Sequence, residues 1–263
     1  MPKFGLRTLL ACFIGLAAIL AIACPAILQV REAARRVTCG NQIRQMALGL
    51  HNYESAFGRL PIGIETKPDG TLYSSWRVSV APFLESAQQF YDPKFAWNSP
   101  QNARLYDGST VIATNKGGGN PTPVVLDPCH PWRWCCSSDS TKRVNYAVVV
   151  GEETAFPPNR AVAFNEITDG LENTILIVET LSGSSIWTEP RDIQFDSMKF
   201  VLGNSENGEL ASKHKDGVNV AFADGEVYFL AKSITPDELR ALLTISGGES
   251  IKRQDLLDRG ILQ

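Results

Sequence analysis

Of the side chains able to carry chemistry, this chain offers three histidines, His51, His130 and His214, and six cysteines. None of the histidines sits in an H-E-x-x-H zinc pattern, and neither a G-x-S-x-G nucleophile turn nor a phosphate-binding P-loop occurs. Glu152-Glu153 and Glu189 have no visible partner and read as solvated loop charges rather than as an acid–base pair. The most pointed spacing is His214, nine residues, then Asp224-Gly225. Asp-Gly between the apolar runs 218–222 and 226–230 is a hairpin signal. It puts His214 just before the first strand, with a backbone carbonyl at the far end of the ribbon as its expected partner. A competing reading takes Asp216 and Asp224, with Asp169 and Glu179, as oxygen donors for Ca²⁺. No twelve-residue Ca²⁺ loop is present, so the structural reading is preferred. No catalytic residue, metal or cofactor is expected.

The cysteines fall into two groups. Cys12 and Cys24 lie in an apolar N-terminal stretch, whereas Cys39, Cys129, Cys135 and Cys136 lie among polar residues, an even number suited to disulfides on an oxidising side of a membrane. A Zn²⁺ site from Cys129, His130, Cys135 and Cys136 competes with that reading. Adjacent Cys135 and Cys136 are unlike the usual spaced thiolate pairs, which favours disulfides. Five tryptophans complete the inventory: Trp76, Trp97, Trp132, Trp134 and Trp187. Trp132 and Trp134 sit in a Pro/Cys-rich loop, where exposed aromatics would stack on sugars or meet another subunit. The alternative is that the tryptophans fill the core.

The elements that must position these residues begin with a membrane segment. Residues 8–30 carry no charge, Lys3 and Arg7 precede them, and Arg31, Glu32, Arg35 and Arg36 follow. That supplies the roughly 20 apolar residues a bilayer-spanning helix needs. A cleavable secretory signal is the plain alternative, but the apolar run is about twice the usual signal length. A lipoprotein box at Ala21-Ile22-Ala23-Cys24 is a second. An uncleaved anchor is preferred because the helical pattern continues: Val30, Ala33, Ala34 and Val37, then Ile43, Met46, Ala47 and Leu50, form apolar stripes. Phe57-Gly58 and Leu60-Pro61 stop it. The expected helix is almost fifty residues, on the order of 70 Å. The chain thus divides into an anchor (1–30), an amphipathic extension of the same helix (31–57) and a head (58–263).

Setting aside Lys3 and Arg7 leaves 23 basic against 28 acidic side chains, a net −5 that argues against nucleic acid as a partner. The head reads as α+β with mostly antiparallel strands at 74–80, 145–150, 174–179, 218–222 and 226–230. Thr235-Pro236-Asp237-Glu238 starts a C-terminal helix expected to run through Leu243 to Gly247-Gly248.

Several segments together resemble a known bacterial family. They are REAARR at 31–36, Cys39, NQIRQMALGLHNY at 41–53, SWRVSVAPFLE at 75–85 and WNSPQN at 97–102. CSSDS at 136–140, NYAVVVG at 145–151, TDGLENTILIVE at 168–179, WTEP at 187–190 and HKDGVNVAFADG at 214–225 continue the match. The chain resembles the pilin-like domain of unknown function 1559, with its prepilin-type processing-associated His-X9-Asp-Gly motif, here His214, Asp224 and Gly225. The resemblance implies a type IV pilin-like helix packed on a β-sheet head. Relatives begin the mature chain at Phe after Gly, with Glu at its fifth position. Here Phe4 follows Lys3, and Thr8 replaces the Glu, so the pairing of that Glu with a neighbour's N-terminal amine is lost. Cys39 and Cys136 match the family's cysteines, which implies that they pair and leaves Cys129 with Cys135. Closing a loop of nearly a hundred residues is worth roughly 4–5 kcal/mol in a chain-entropy picture. The function implied is a single-pass, pilin- or pseudopilin-like surface protein of the cytoplasmic membrane, with its head outside. It would play a non-catalytic role among other pilin-like subunits. The alternative is an anchored glycan- or solute-binding module using Trp132 and Trp134.

Overall fold

The computed structural model describes residues 5–84, 91–102, 111–114, 123–126, 144–181, 186–203 and 210–263. Side chains at 6–12, 15–20, 22–23, 25, 111–114 and 123–126 lie outside that description. Helix α1 (Leu6–Phe57) runs unbroken for 52 residues, about 78 Å at 1.5 Å per residue. It ends where expected, on Gly58, whose φ of 72° is the left-handed cap that glycine adopts without strain.

Short elements follow: β1 (Ile64–Thr66), β2 (Leu72–Ser75), α2 (Trp76–Val80), β3 (Val111–Thr114), β4 (Pro123–Leu126), β5 (Tyr146–Ala147) and β6 (Val149–Val150). Next come β7 (Ile175–Glu179), β8 (Ile193–Gln194), β9 (Leu202–Gly203), β10 (Leu210–Ala211), β11 (Gly217–Phe222), β12 (Val227–Ala231), α3 (Pro236–Ala241) and α4 (Arg253–Asp258). The central sheet is antiparallel throughout, in the order β12-β11-β7-β5. The hairpin β11–β12 turns at Asp224-Gly225 as expected, and β1–β2 and β3–β4 are further antiparallel pairs. The strand pairs β6–β8 and β9–β10 are parallel.

Strand β11 explains how the sheet takes a helix on one face. Val218, Val220 and Phe222 point to the side covered by Leu239, Leu242, Leu243 and Leu256. The alternate positions, Gly217, Asn219 and Ala221, are small or polar and face α1, so the helix approaches closely. Against that face α1 buries Cys39, Ile43, Met46, Ala47 and Leu50.

Several expectations change. The second apolar stripe of α1 is buried, but the first, Val30, Ala33, Ala34 and Val37, is exposed because it points away from the face of the helix, marked by Glu32, Arg36 and Cys39, that meets the head. The strand expected over 74–80 stops at Ser75, whose hydroxyl accepts the amide of Arg77 and turns the chain into α2. Trp76, Arg77, Val78 and Val80 are then all buried, which an alternating strand would not allow. The strand expected over 145–150 divides at Val148, whose amide is taken by Asp192. Helix α3 ends at Ala241, and α4 was not foreseen. Among the described residues no helix is long and apolar enough to cross a membrane; most side chains of 8–30 lie outside them. No disulfide joins described residues, and Cys129, Cys135 and Cys136 lie outside the description, as do Trp132 and Trp134.

Candidate functional site

Each end of β11 meets α1, and His214, Asp224 and Gly225 stand at those ends. The first end is built by Ser212, whose hydroxyl donates to the Gly217 carbonyl (3.0 Å) and accepts the His214 amide (2.9 Å). This small hydrogen-bonded turn aims the His214 imidazole at α1. Its Nδ1 lies 2.6 Å from a carboxylate oxygen of Glu32, in place of the backbone carbonyl expected from sequence. Nε2 lies 3.9 Å from Glu179 Oε1. Glu179, at the end of β7, is 1% exposed and accepts two bonds from Asn219, from its amide (2.8 Å) and its side-chain nitrogen (3.0 Å). Phe229 closes the site, edge-on to His214 and beneath the Arg36 guanidinium at 3.9 Å.

Glu32 is the lone acid in an arginine-rich turn. Burial raises its pKa, but hydrogen bonds from His214 and Arg35, with their charges, outweigh that and leave it below the usual carboxylate range. Arg35 Nε donates to it at 2.9 Å, and Arg36 bridges toward Asp216 at 3.6 Å. The thiol of Cys39, two turns along α1 from Glu32, joins this cluster. Its sulfur, a Glu179 oxygen and a His214 nitrogen all lie within 4.8 Å of one another, and all three residues are buried.

At the other end Asp224 fixes the hairpin turn. It accepts the Glu226 amide (3.0 Å) and Arg253 Nη1 (2.5 Å), while Gly225 takes φ 89°. His51 of α1 sits over that glycine; a Cβ there would stand 3.4 Å from His51 Nε2. Glu32 and His51 are nineteen positions apart, about 28 Å of helix. Of the ten positions from His214 to Asp224 the six of β11 are strand, about 20 Å, and turns flank them on both sides. The His-X9-Asp-Gly motif therefore brackets one strand and meets α1 at both of its ends.

The other motif segments also resolve into contacts. Arg77 and Asp192, 2% and 0% exposed, form a two-pronged ion pair at 2.7 and 3.0 Å. Buried Asn102 accepts the Asp92 amide and donates to the carbonyls of Asp92, Phe95 and Ala96. Asp169 accepts the amides of Gly247 and Gly248. The proposed Ca²⁺ cage does not form: Asp169, Asp216 and Asp224 are each engaged elsewhere, and only Glu179 belongs to the His214 cluster. Trp76 and Trp187 are core residues, and Glu153 pairs with Arg240 at 3.2 Å. Sequence reading did not bring Glu32, Cys39, Glu179 and His214 together. The one available signal was Glu32, a single acid among Arg31, Arg35 and Arg36.

The fold defines a class: a long N-terminal helix lying on an α+β head, with its motif residues at the seam. The chain belongs to the family described as protein of unknown function (DUF1559), whose model matches residues 29–203, about two-thirds of the sequence. The match covers the buried half of α1 and most of the head, while His214 and Asp224 lie beyond it. No curated protein and no solved structure matches the chain.

Proposed function

We propose that the chain is a membrane-anchored, pilin- or pseudopilin-like surface protein with a structural or interaction role and no catalysis. Residues 1–30 hold it in the cytoplasmic membrane, 31–57 continue the helix, and 58–263 form the extracytoplasmic head. The observation that carries this reading is the division of α1. Toward its C-terminal end one face of the helix is buried against the head, whereas Phe13, Ile14, Ile27, Leu28, Val30, Val37 and Leu48 are exposed on the same unbroken helix. An isolated soluble protein leaves few such contiguous apolar stretches uncovered, since lipid or partner helices are what normally cover them. The uncharged run 8–30 supports lipid for the first part, and the stripe through Val30 and Val37 supports a second helix for the next.

The test is affinity capture of the full chain from native membranes with short-range cross-linking, followed by intact-mass and N-terminal mapping. Co-capture of other pilin-like chains through residues 26–48 is expected. Recovery from the soluble fraction, or only monomers in mild detergent, would overturn the proposal.

A further inference from the structure

We propose that Cys39, Glu179 and His214 form a binding site for a divalent transition metal, Zn²⁺ first, available when Cys39 carries a thiol. Three features carry it. The donors are thiolate, carboxylate and imidazole, a set that suits a borderline-soft ion and not Ca²⁺ or Mg²⁺. They come from three separate elements, α1, β7 and the turn before β11, and all are buried with donor atoms within 4.8 Å of one another. Zinc bonds of 2.0–2.3 Å hold tetrahedral donors about 3.4–3.7 Å apart. The 3.9 Å between His214 Nε2 and Glu179 Oε1 is already near that spacing.

The outer contacts are those a metal site requires. Glu32 holds His214 through Nδ1, which leaves Nε2 turned toward Glu179. Asn219 fixes the Glu179 carboxylate with two bonds. Binding releases the thiol proton of Cys39 to solvent and leaves a fourth position for water. The ion would join α1 to the sheet at the seam the motif already occupies. A disulfide at Cys39 and a metal at this site exclude each other, so the redox state of Cys39 decides which of the two staples the helix.

The test uses the full chain in detergent, reduced with a phosphine and titrated with Co²⁺, whose thiolate charge-transfer absorption reports sulfur ligation. One equivalent per chain is expected, displaced by Zn²⁺, with the absorption absent in the oxidised protein. Cys39→Ser abolishes the band, and His214→Ala and Glu179→Gln weaken binding at least about tenfold. Glu179→Gln preserves shape but keeps an oxygen acceptor for only one of the two Asn219 donors, so circular dichroism and melting of all three variants without metal separate ligation from folding. Alkylation of Cys39, followed by peptide mapping, is slowed by Zn²⁺. No band in the reduced wild type, or a band that survives in both Cys39→Ser and His214→Ala, would overturn the proposal by leaving no metal or placing it on other cysteines.

Discussion

The Asp192 carboxylate has no exposed surface and accepts four hydrogen bonds, two from Arg77, one from Trp76 Nε1 (3.2 Å) and one from the Val148 amide (3.0 Å). A buried pair of this kind is weakly stabilising as a whole, but losing one partner strands a charge in the core. Arg77→Met should therefore lower the unfolding free energy by about 3–5 kcal/mol, read by chemical denaturation. A loss near zero would show that water reaches Asp192. Glu238 gives the pH dependence. Its partial burial raises its pKa, but bonds from Thr235 and Arg259 outweigh that and hold it below the ordinary carboxylate value. A depressed folded pKa stabilises the fold above the unfolded carboxylate value, and that contribution disappears as pH falls through the lower folded value. Denaturation midpoints below about pH 4.5 should accordingly fall more steeply in the wild type than in Glu238→Gln. Parallel slopes would remove Glu238 from the acid response.

Two glycines of α1 test how closely the helix is held. A Cβ at Gly49 would lie 2.8 Å from Val80 Cγ1 and 2.9 Å from Leu84 Cδ2, so α2 and the turn after it pack against bare backbone. A Cβ at Gly40 would make ordinary contacts of 3.6 Å with Asn219 and 3.9 Å with Val227. Alanine gains about 1 kcal/mol of helix propensity at either place. Gly40→Ala should raise the melting temperature and Gly49→Ala lower it; a rise in both would mean that the α1–α2 contact is loose. Thr235, whose hydroxyl caps α3 by accepting the Glu238 amide at 3.3 Å, should cost about 1 kcal/mol when replaced by alanine. This cap was legible in the sequence because capping is local: Thr, Pro and Glu stand at the required offsets. The hairpin at Asp224-Gly225 and the stop at Gly58 were legible for the same reason. The turn into α2 was not, because Trp76, Val78 and Val80 satisfy a strand's alternation and only the burial of Arg77 against distant Asp192 breaks it. The seam cluster was illegible too: its members lie up to 182 positions apart, and no spacing rule connects Glu32 to His214.

At the scale of the molecule, the exposed stripe through Val30 and Val37 makes the functional reading testable. Val30→Asp/Val37→Asp should cut cross-linking to partner chains several-fold while leaving the circular dichroism and melting of the head unchanged, since neither side chain is buried. Unaltered cross-linking would move the contact surface elsewhere. The family and the α+β class were legible from ordered motif segments, whereas the exposure of the first stripe was not, because periodicity marks an apolar face without saying which face the head covers. The same division has a mechanical consequence. Helix α1 and strand β11 run in the same direction, gripped at Glu32–His214 and again at His51–Gly225. A pull on the uncovered half loads both grips in shear, along the helix axis, and reaches the Glu32–His214 grip first. The head would then behave as a clasp that resists sliding, with resistance concentrated where the acid of one element meets the imidazole of the other.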